Sequence, residues 1–308
     1  MTPNLLSDAP TVMGRRALML GSLASVALQP TRGWAADPAI VASFSILADM
    51  VHQVGGSLIN VASLVPPDAD VHVYQPNAAN SRALTAAAML VENGLGLEGW
   101  MTRLAEASDF RGVRVIASKG VAPRVMREGD ATSLDPHAWQ NPRNGVIYLE
   151  NITSGLVAAD PGHADTWRSN AAGFIAEIKQ TDAWIEAQYA GIPEAARRIV
   201  TTHDAFGYYG DRYGVSFLAA EGISTDAEPS AKGIAALVRQ VKQERVRMVF
   251  LENMTDSRIT RTLAQETGAI VSGPLYSDAL SRPDGPAPDY LTMLRYNTEW
   301  FVRAMRAG

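Results

Sequence analysis

Between His163 and Tyr189 the sequence contains no proline and a single glycine, while Trp167, Ala171, Phe174, Ile178 and Ile185 recur at helical spacing. That pattern predicts one uninterrupted helix with an apolar stripe, about 40 Å long at 1.5 Å per residue. A helix of that length serves as a strut between two bodies, so the flanking segments are expected to fold as separate lobes. Before it, Ala39–Ser43, Ile59–Val65, Met89–Glu92 and Val113–Ala117 read as strands. They alternate with helical patterns at Ile46–Val54, Asn77–Ala88 and Leu97–Ala107. After Gly191-Ile192-Pro193 the rhythm returns, with strands at Arg198–Thr201, Val215–Ala219, Val246–Leu251 and Ile270–Ser272. Helices are expected at Lys232–Glu244, Arg258–Thr267 and Asp289–Met305. Alternating strands and helices build parallel sheets with crossover connections. The expected fold is therefore α/β: two lobes, 36–162 and 191–308, each a mostly parallel sheet flanked by helices. One long rigid linker helix, 163–190, joins them.

The first 35 residues stand apart. Arg15-Arg16 precedes an apolar run from Ala17 to Leu28, and Gly33-Trp34-Ala35-Ala36 follows, the order of an export signal. Cleavage is expected near Ala35 or Ala36, which makes the mature protein periplasmic. The run of about 12 apolar residues is shorter than the roughly 20 a membrane-spanning helix needs. The paired arginines suit a twin-arginine route, and the general secretory route stays open. This segment holds Arg15, Arg16 and Arg32 against Asp8, which leaves the mature chain 24 basic and 31 acidic side chains and a net charge of −7. No clustered basic face is present, so nucleic acid is not expected as a partner. Cysteine is absent. That excludes disulfides, thiolate metal sites, cysteine nucleophiles and a thioether-linked lipid anchor. Any metal must be held by nitrogen and oxygen.

Three of the five histidines follow apolar strands or sit in the loops beyond them, where ligand crevices of open α/β sheets form. Each has an aspartate close by: Asp70 before His72, Asp135 before His137, Asp204 after His203. A metal-bound imidazole commonly donates its other N–H to a carboxylate. Asp70, Asp135 and Asp204 are candidates for that task, and equally for capping turns. His52 lies in the first helical pattern and His163 at the start of the strut, where surface roles suffice. Glu228 and Glu252 read as solvated or salt-bridged carboxylates. Trp100, Trp139 and Trp184 read as packing residues.

The segments Asp70-Val71-His72-Val73-Tyr74-Gln75-Pro76, Asp135-Pro136-His137-Ala138-Trp139-Gln140-Asn141-Pro142 and His203-Asp204-Ala205-Phe206-Gly207-Tyr208-Tyr209 carry a resemblance. They are similar to the histidine motifs of the cluster A-I solute-binding proteins, the zinc and manganese receptors of ABC importers. Tyr276-Ser277-Asp278-Ala279-Leu280 is similar to the family loop that supplies a fourth ligand. The resemblance runs from about Ala39 to the C-terminus and implies His72, His137, His203 and Asp278 around one divalent ion. It also implies a permease and its ATPase as partners. The first motif departs from the family's Asp-Pro-His-x-Tyr-Glu-Pro at Val71 and Gln75. Residues 117–134 contain no histidine where many zinc receptors carry a histidine-rich loop, so a periplasmic metallochaperone is a further possible partner. A monomer is expected.

Three imidazoles and one carboxylate suit four-coordinate Zn²⁺. Mn²⁺ prefers more oxygen, and manganese members of the family typically show glutamate where His203 stands. The expected function is thus a high-affinity zinc receptor, with a manganese receptor as the alternative. A zinc hydrolase would need three ligands and an open position for water. With Asp278 as the fourth ligand, and with no HExxH pattern in the sequence, an enzyme is not expected. Because a strut resists wide bending, cation release is expected to move loops near Asp278 and Ser224–Pro229 and to leave the lobes little rotated.

Overall fold

The apolar runs bounded by glycine, proline and polar residues become strands whose burial follows their place in the sheet. In the computed structural model, which describes residues 39–128, 131–219, 222, 225, 231–243, 246–254 and 257–307, the first lobe has β1 (Ala39–Phe44), β2 (Asn60–Val65), β3 (Met89–Glu92) and β4 (Val113–Ile116). They form one parallel sheet in the order β2-β1-β3-β4. The central strands β1 and β3 are buried almost end to end, whereas edge strand β2 alternates until Leu64 and Val65. Helix α1 (Ser45–Gly55) ends where Gly56 turns to φ 55°, a left-handed conformation that costs glycine little. Helix α2 (Ala78–Ala86) starts at a reciprocal cap between Asn77 and Asn80, and α3 (Met101–Ala107) precedes β4.

Two elements of this lobe are additions to the expected pattern. An antiparallel hairpin pairs β5 (Val125–Glu128) with β6 (Ala131–Leu134). Helix α4 (Pro142–Ala159) follows, with Asn141 accepting a hydrogen bond from the Arg143 N–H and proline in its first turn. Asn-Pro is an ordinary helix-start signal; at 141–142 it coincides with the end of the second histidine motif.

The strut is α5 (Ala164–Gln188), preceded by a short 3₁₀ turn at Pro161–His163. Its buried stripe is Trp167, Ala171, Phe174, Ile178, Thr181 and Ile185, and it packs on α1, α4 and the C-terminal helix α9 (Tyr290–Ala307). The second lobe holds β7 (Arg198–Thr201), α6 (Gly207–Tyr213), β8 (Ser216–Ala219), α7 (Ala231–Gln243), β9 (Met248–Glu252), α8 (Ser257–Thr267) and β10 (Ile270–Leu275). Its sheet is parallel in the order β10-β9-β7-β8. Short helix α6 lies inside the third histidine motif and was not among the expected helices.

One apolar core runs through both lobes, from Phe44 and Leu90 through Trp139 and Trp167 to Phe250 and Phe301. A smaller cluster, Val200, Leu237, Val241, Val249 and Leu263, fills the outer side of the second sheet under α7 and α8. The expected export segment 1–35, its cleavage point, Glu228, and all of Ser224–Pro229 except Thr225 lie outside the described residues. Among the described residues no helix is long and apolar enough to cross a membrane.

Candidate metal centre

Strands β2, β6, β7 and β10 each run into a loop at the junction of the lobes, and each loop presents one ligand-capable side chain. His72 follows β2 through Pro66-Pro67, and its backbone N–H donates to Asp70 Oδ1 at 2.8 Å. Val71 is pinned beneath it by the Trp100 indole N–H, which donates to the Val71 carbonyl at 3.1 Å.

His137 follows β6. Its N–H donates to Asp135 Oδ1 at 3.0 Å, and its Nδ1 lies 2.8 Å from the same oxygen. The preceding carbonyl of Pro136 accepts from Asn93 Nδ2 at the end of β3. Trp139 Nε1 and Gln140 Nε2, in the next turn, both donate to the carbonyl of Ser277, at 2.9 and 2.7 Å. The His137 turn is thereby joined to the residue before Asp278.

His203 follows β7. Glu252, at the end of β9, accepts from the N–H groups of Thr202 and His203 through Oε1, at 2.9 and 3.0 Å. Its Oε2 lies 2.7 Å from His203 Nδ1. Asp278 follows β10, in a loop where Asn297 accepts from the Tyr276 N–H and donates to the Tyr276 carbonyl. The Leu280 N–H donates to Ser45 Oγ in the first lobe.

These loops bring His72, His137, His203 and Asp278 together, with ligand-capable atoms all within 4.8 Å of one another. His72 Nε2 is 3.2 Å from His137 Nε2. Asp278 Oδ2 is 3.2 Å from His72 Nε2 and 3.0 Å from His203 Nε2, and Oδ1 is 3.5 Å from His137 Nε2. His137, His203 and Asp278 are fully buried. Neither Asp278 oxygen receives a hydrogen bond of ordinary geometry among the described residues. A buried carboxylate in that position is costly unless a cation or charged partner faces it, so the donor set fits a divalent ion.

Electrostatics agree. Burial alone would push the His203 imidazole down, but the Glu252 and Asp278 carboxylates outweigh it and hold its pKa well above the usual value. Burial alone would raise Asp278; His203 and His137 outweigh that and hold it well below the usual carboxylate range. Both shifts favour the charged forms, an imidazolium facing a carboxylate. An entering divalent ion takes the proton's place.

The three flanking aspartates part company. Asp135 contacts the His137 ring. Asp70 takes the His72 backbone N–H, and its other oxygen accepts from the Thr225 hydroxyl at 2.6 Å; it acts as a turn cap and a tie between lobes. Asp204 is not the acid on His203, because Glu252 occupies that place. Glu252, expected to be solvated or salt-bridged, is buried and not solvated; it accepts from the His203 backbone N–H and pairs with the His203 ring at 2.7 Å. His52 and His163 are both exposed and lie outside the cluster, and His163 Nδ1 is 2.6 Å from Asp160 Oδ2. Trp100 and Trp139 are buried, while Trp184 is half-buried beneath the Arg295 guanidinium.

Two parallel-sheet lobes on a helical strut, closing four ligand-capable side chains at their junction, define a solute-binding receptor for a divalent cation. A family model described as zinc-uptake complex component A, periplasmic, matches residues 40–304. The chain belongs to this family: it is a metal-binding receptor of an ABC importer, acting outside the cytoplasm, and not an enzyme. It is 32% identical over 267 residues to the manganese-binding lipoprotein MntA of Halalkalibacterium halodurans, covering 86% of this chain and 88% of that protein. It is 30% identical over 265 residues to the iron-binding protein YfeA of Yersinia pestis, covering 86% and 85%. Among solved structures it resembles a Mn-bound periplasmic metal binding protein from Candidatus Liberibacter asiaticus, with a TM-score of 0.78 and 27% identity over 87% of this chain and 99% of that one.

Proposed function

We propose that the chain is a high-affinity Zn²⁺ receptor that binds one cation through His72, His137, His203 and Asp278 and hands it to a membrane permease driven by an ATPase. The convergence of three imidazoles and one buried carboxylate carries this reading. Bonds of 2.0 to 2.2 Å in a tetrahedron place ligand atoms roughly 3.3 to 3.6 Å apart. The His72–His137 distance and the three from Asp278 run from 3.0 to 3.5 Å, and the ligand-capable atoms of all four side chains lie within 4.8 Å of one another. Nitrogen-rich, four-coordinate sets favour zinc over manganese.

One observation favours a second reading, manganese or iron. Both Asp278 oxygens face imidazoles, so the carboxylate can chelate and raise the coordination number, and the relatives named above bind manganese and iron by their names. Elemental analysis of protein recovered from its native compartment, paired with competitive titration of Zn²⁺ against Mn²⁺, decides between them. About one equivalent of zinc, retained against manganese, is expected; a bound equivalent of manganese or iron that zinc fails to displace would overturn the zinc assignment.

Residues 1–35 act in this reading as a cleaved export signal, and N-terminal sequencing of the exported protein should begin near Ala35 or Ala36. With no cysteine in the sequence, the receptor carries no thioether-linked lipid. A metallochaperone loads it or free cation suffices; pull-down from periplasmic extract with the apo-protein tests which. Release proceeds in this reading through local movement at the Asp278 loop and Ser224–Pro229 with the lobes little rotated, and movement of the Asp278 loop must loosen the hydrogen bonds from Trp139 and Gln140 to the Ser277 carbonyl.

A further inference from the structure

Arg124, in the segment just before β5, belongs to the first lobe but faces the second. Its guanidinium Nη1 donates to Asp135 Oδ2 at 3.1 Å, and its Nε donates to Asp211 Oδ2 on α6, also at 3.1 Å. Its backbone N–H donates to the Tyr208 hydroxyl on α6 at 2.8 Å, and its carbonyl accepts from the Asp135 N–H at 2.9 Å. Asp135 is wholly buried and uses its other oxygen on His137. The helix Arg124 grips is the one that follows His203.

Gly207 shows how close this approach is. A Cβ built on Gly207, the first residue of α6, would lie 2.3 Å from Arg124 Nη1 and 2.7 Å from Asp135 Oδ2. The guanidinium and the carboxylate thus occupy the space a side chain on α6 would fill. Arginine supplies what this joint needs, a planar fork that reaches two carboxylates at once from one fixed plane. Lysine, a single point charge, cannot hold both in that geometry.

We propose that Arg124 is a positioning residue that latches the two lobes across the metal centre, holding Asp135, and through it the His137 ring, against α6, so that cation release requires this latch to open. The inference rests on the four-residue site proposed above. It also differs in sign from a purely electrostatic role. A cation beside the site repels a metal ion, so its removal would slow release; removal of a latch speeds it.

The test follows release of Zn²⁺ from the loaded full-length mature protein into excess chromogenic chelator, by stopped flow. Arg124→Lys keeps the charge and loses the fork, and release is expected to rise about tenfold, the low end of what partners of ligand side chains are worth. Gly207→Ala changes no charge and puts a methyl group into the space that the Arg124 guanidinium and the Asp135 carboxylate occupy. It should also speed release severalfold, at some cost in unfolding temperature because one of those groups must move; Arg124→Lys, which adds no atom at the joint and should keep the wild-type unfolding temperature within a few degrees, separates loss of the latch from general damage. Co²⁺-loaded forms of both variants should keep the wild-type band positions, since no ligand is altered. Release at or below the wild-type rate in both variants overturns the latch. The site reading has its own control: wild type must bind one equivalent and His137→Ala must not.

Discussion

His137 and His203 are both fully buried imidazoles at the same centre, yet they are held by different kinds of support. His137 is held from within its own loop, by an aspartate two residues upstream that takes its backbone N–H and faces its ring nitrogen. His203 is held by Glu252, 49 residues further along the chain. The first arrangement needs one turn to form. The second exists only once β7 and β9 are neighbours in register, with Val200 opposite Val249. Those two valines belong to the smaller of the two apolar clusters. The geometry of His203 is therefore tied to the cohesion of the second sheet in a way that of His137 is not.

The largest effects should come from the imidazoles themselves and should be alike on the two sides. Structural zinc sites are worth roughly 10 to 16 kcal/mol, so one ligand of four is worth about 3 kcal/mol, or more than a hundredfold in affinity. His203→Ala and His137→Ala should each lose retained zinc in elemental analysis, whereas His163→Ala should keep it. Retained stoichiometric zinc in both ligand variants would remove the site assignment.

The supporting acids should separate the two sides. Asp135→Ala and Glu252→Ala are each expected to weaken zinc binding by about 10- to 100-fold. Stability of the metal-free protein should differ. Glu252→Ala leaves the buried N–H groups of Thr202 and His203 without that acceptor; Asp135→Ala leaves the buried His137 N–H and the Arg124 Nη1, the latter on a partly exposed side chain that water can reach, at about 1 to 3 kcal/mol for each orphaned buried donor. Urea unfolding of the two apo-variants measures this. A larger loss for Asp135→Ala would reverse the contrast between local and remote support.

The same contrast explains what could be read in the sequence. The strut was legible because its apolar stripe is periodic, and the strands because they are short apolar runs. The histidines stood out through neighbours within a few residues, and the contact between Asp135 and the His137 ring is of that local kind. Glu252 carried no such signal: it ends an apolar strand, and its partner is fixed by sheet order, which periodicity does not encode. Asp204 misled for the complementary reason: it adjoins His203 in the chain, yet the carboxylate 2.7 Å from the His203 ring is that of Glu252. The hairpin β5–β6 and helices α4 and α6 were hidden inside or beside the histidine motifs, where turn and cap residues were read as chemistry.

A proton-linked effect of intermediate size sharpens the view of the first lobe. Glu98 lies under the His137 loop: it accepts from Ser43 Oγ at 2.6 Å and from the Asn93 N–H at 2.7 Å, and Asn93 in turn holds the Pro136 carbonyl. Burial, opposed by those hydrogen bonds, pushes its pKa from the ordinary 4.5 up to about 7. The folded state therefore prefers the protonated carboxyl. The stabilisation is fully present below about pH 4.5 and is lost as pH rises through about 7, by up to about 3 kcal/mol. Glu98→Gln should flatten that part of the stability profile; unfolding midpoints of both proteins from pH 4.5 to 8 show whether the slopes differ, and parallel profiles would exclude Glu98 as the titrating group.

The smallest effect belongs to the third aspartate. Asp70 supports the backbone of His72 and accepts the Thr225 hydroxyl from the other lobe, and among the described residues no hydrogen bond joins it to the His72 ring. Its removal should cost what a turn cap costs, about 1 kcal/mol, which is about fivefold in zinc affinity. Thr225→Val, which leaves the cap and removes only the tie between lobes, should cost less than that. Isothermal titration of the two variants beside Asp135→Ala orders the three. If Asp70→Ala weakened binding as much as Asp135→Ala, support of the backbone alone would be worth as much as support of the ring. The distinction between His137, His203 and the less constrained His72 would then rest on burial and no longer on hydrogen-bonded orientation.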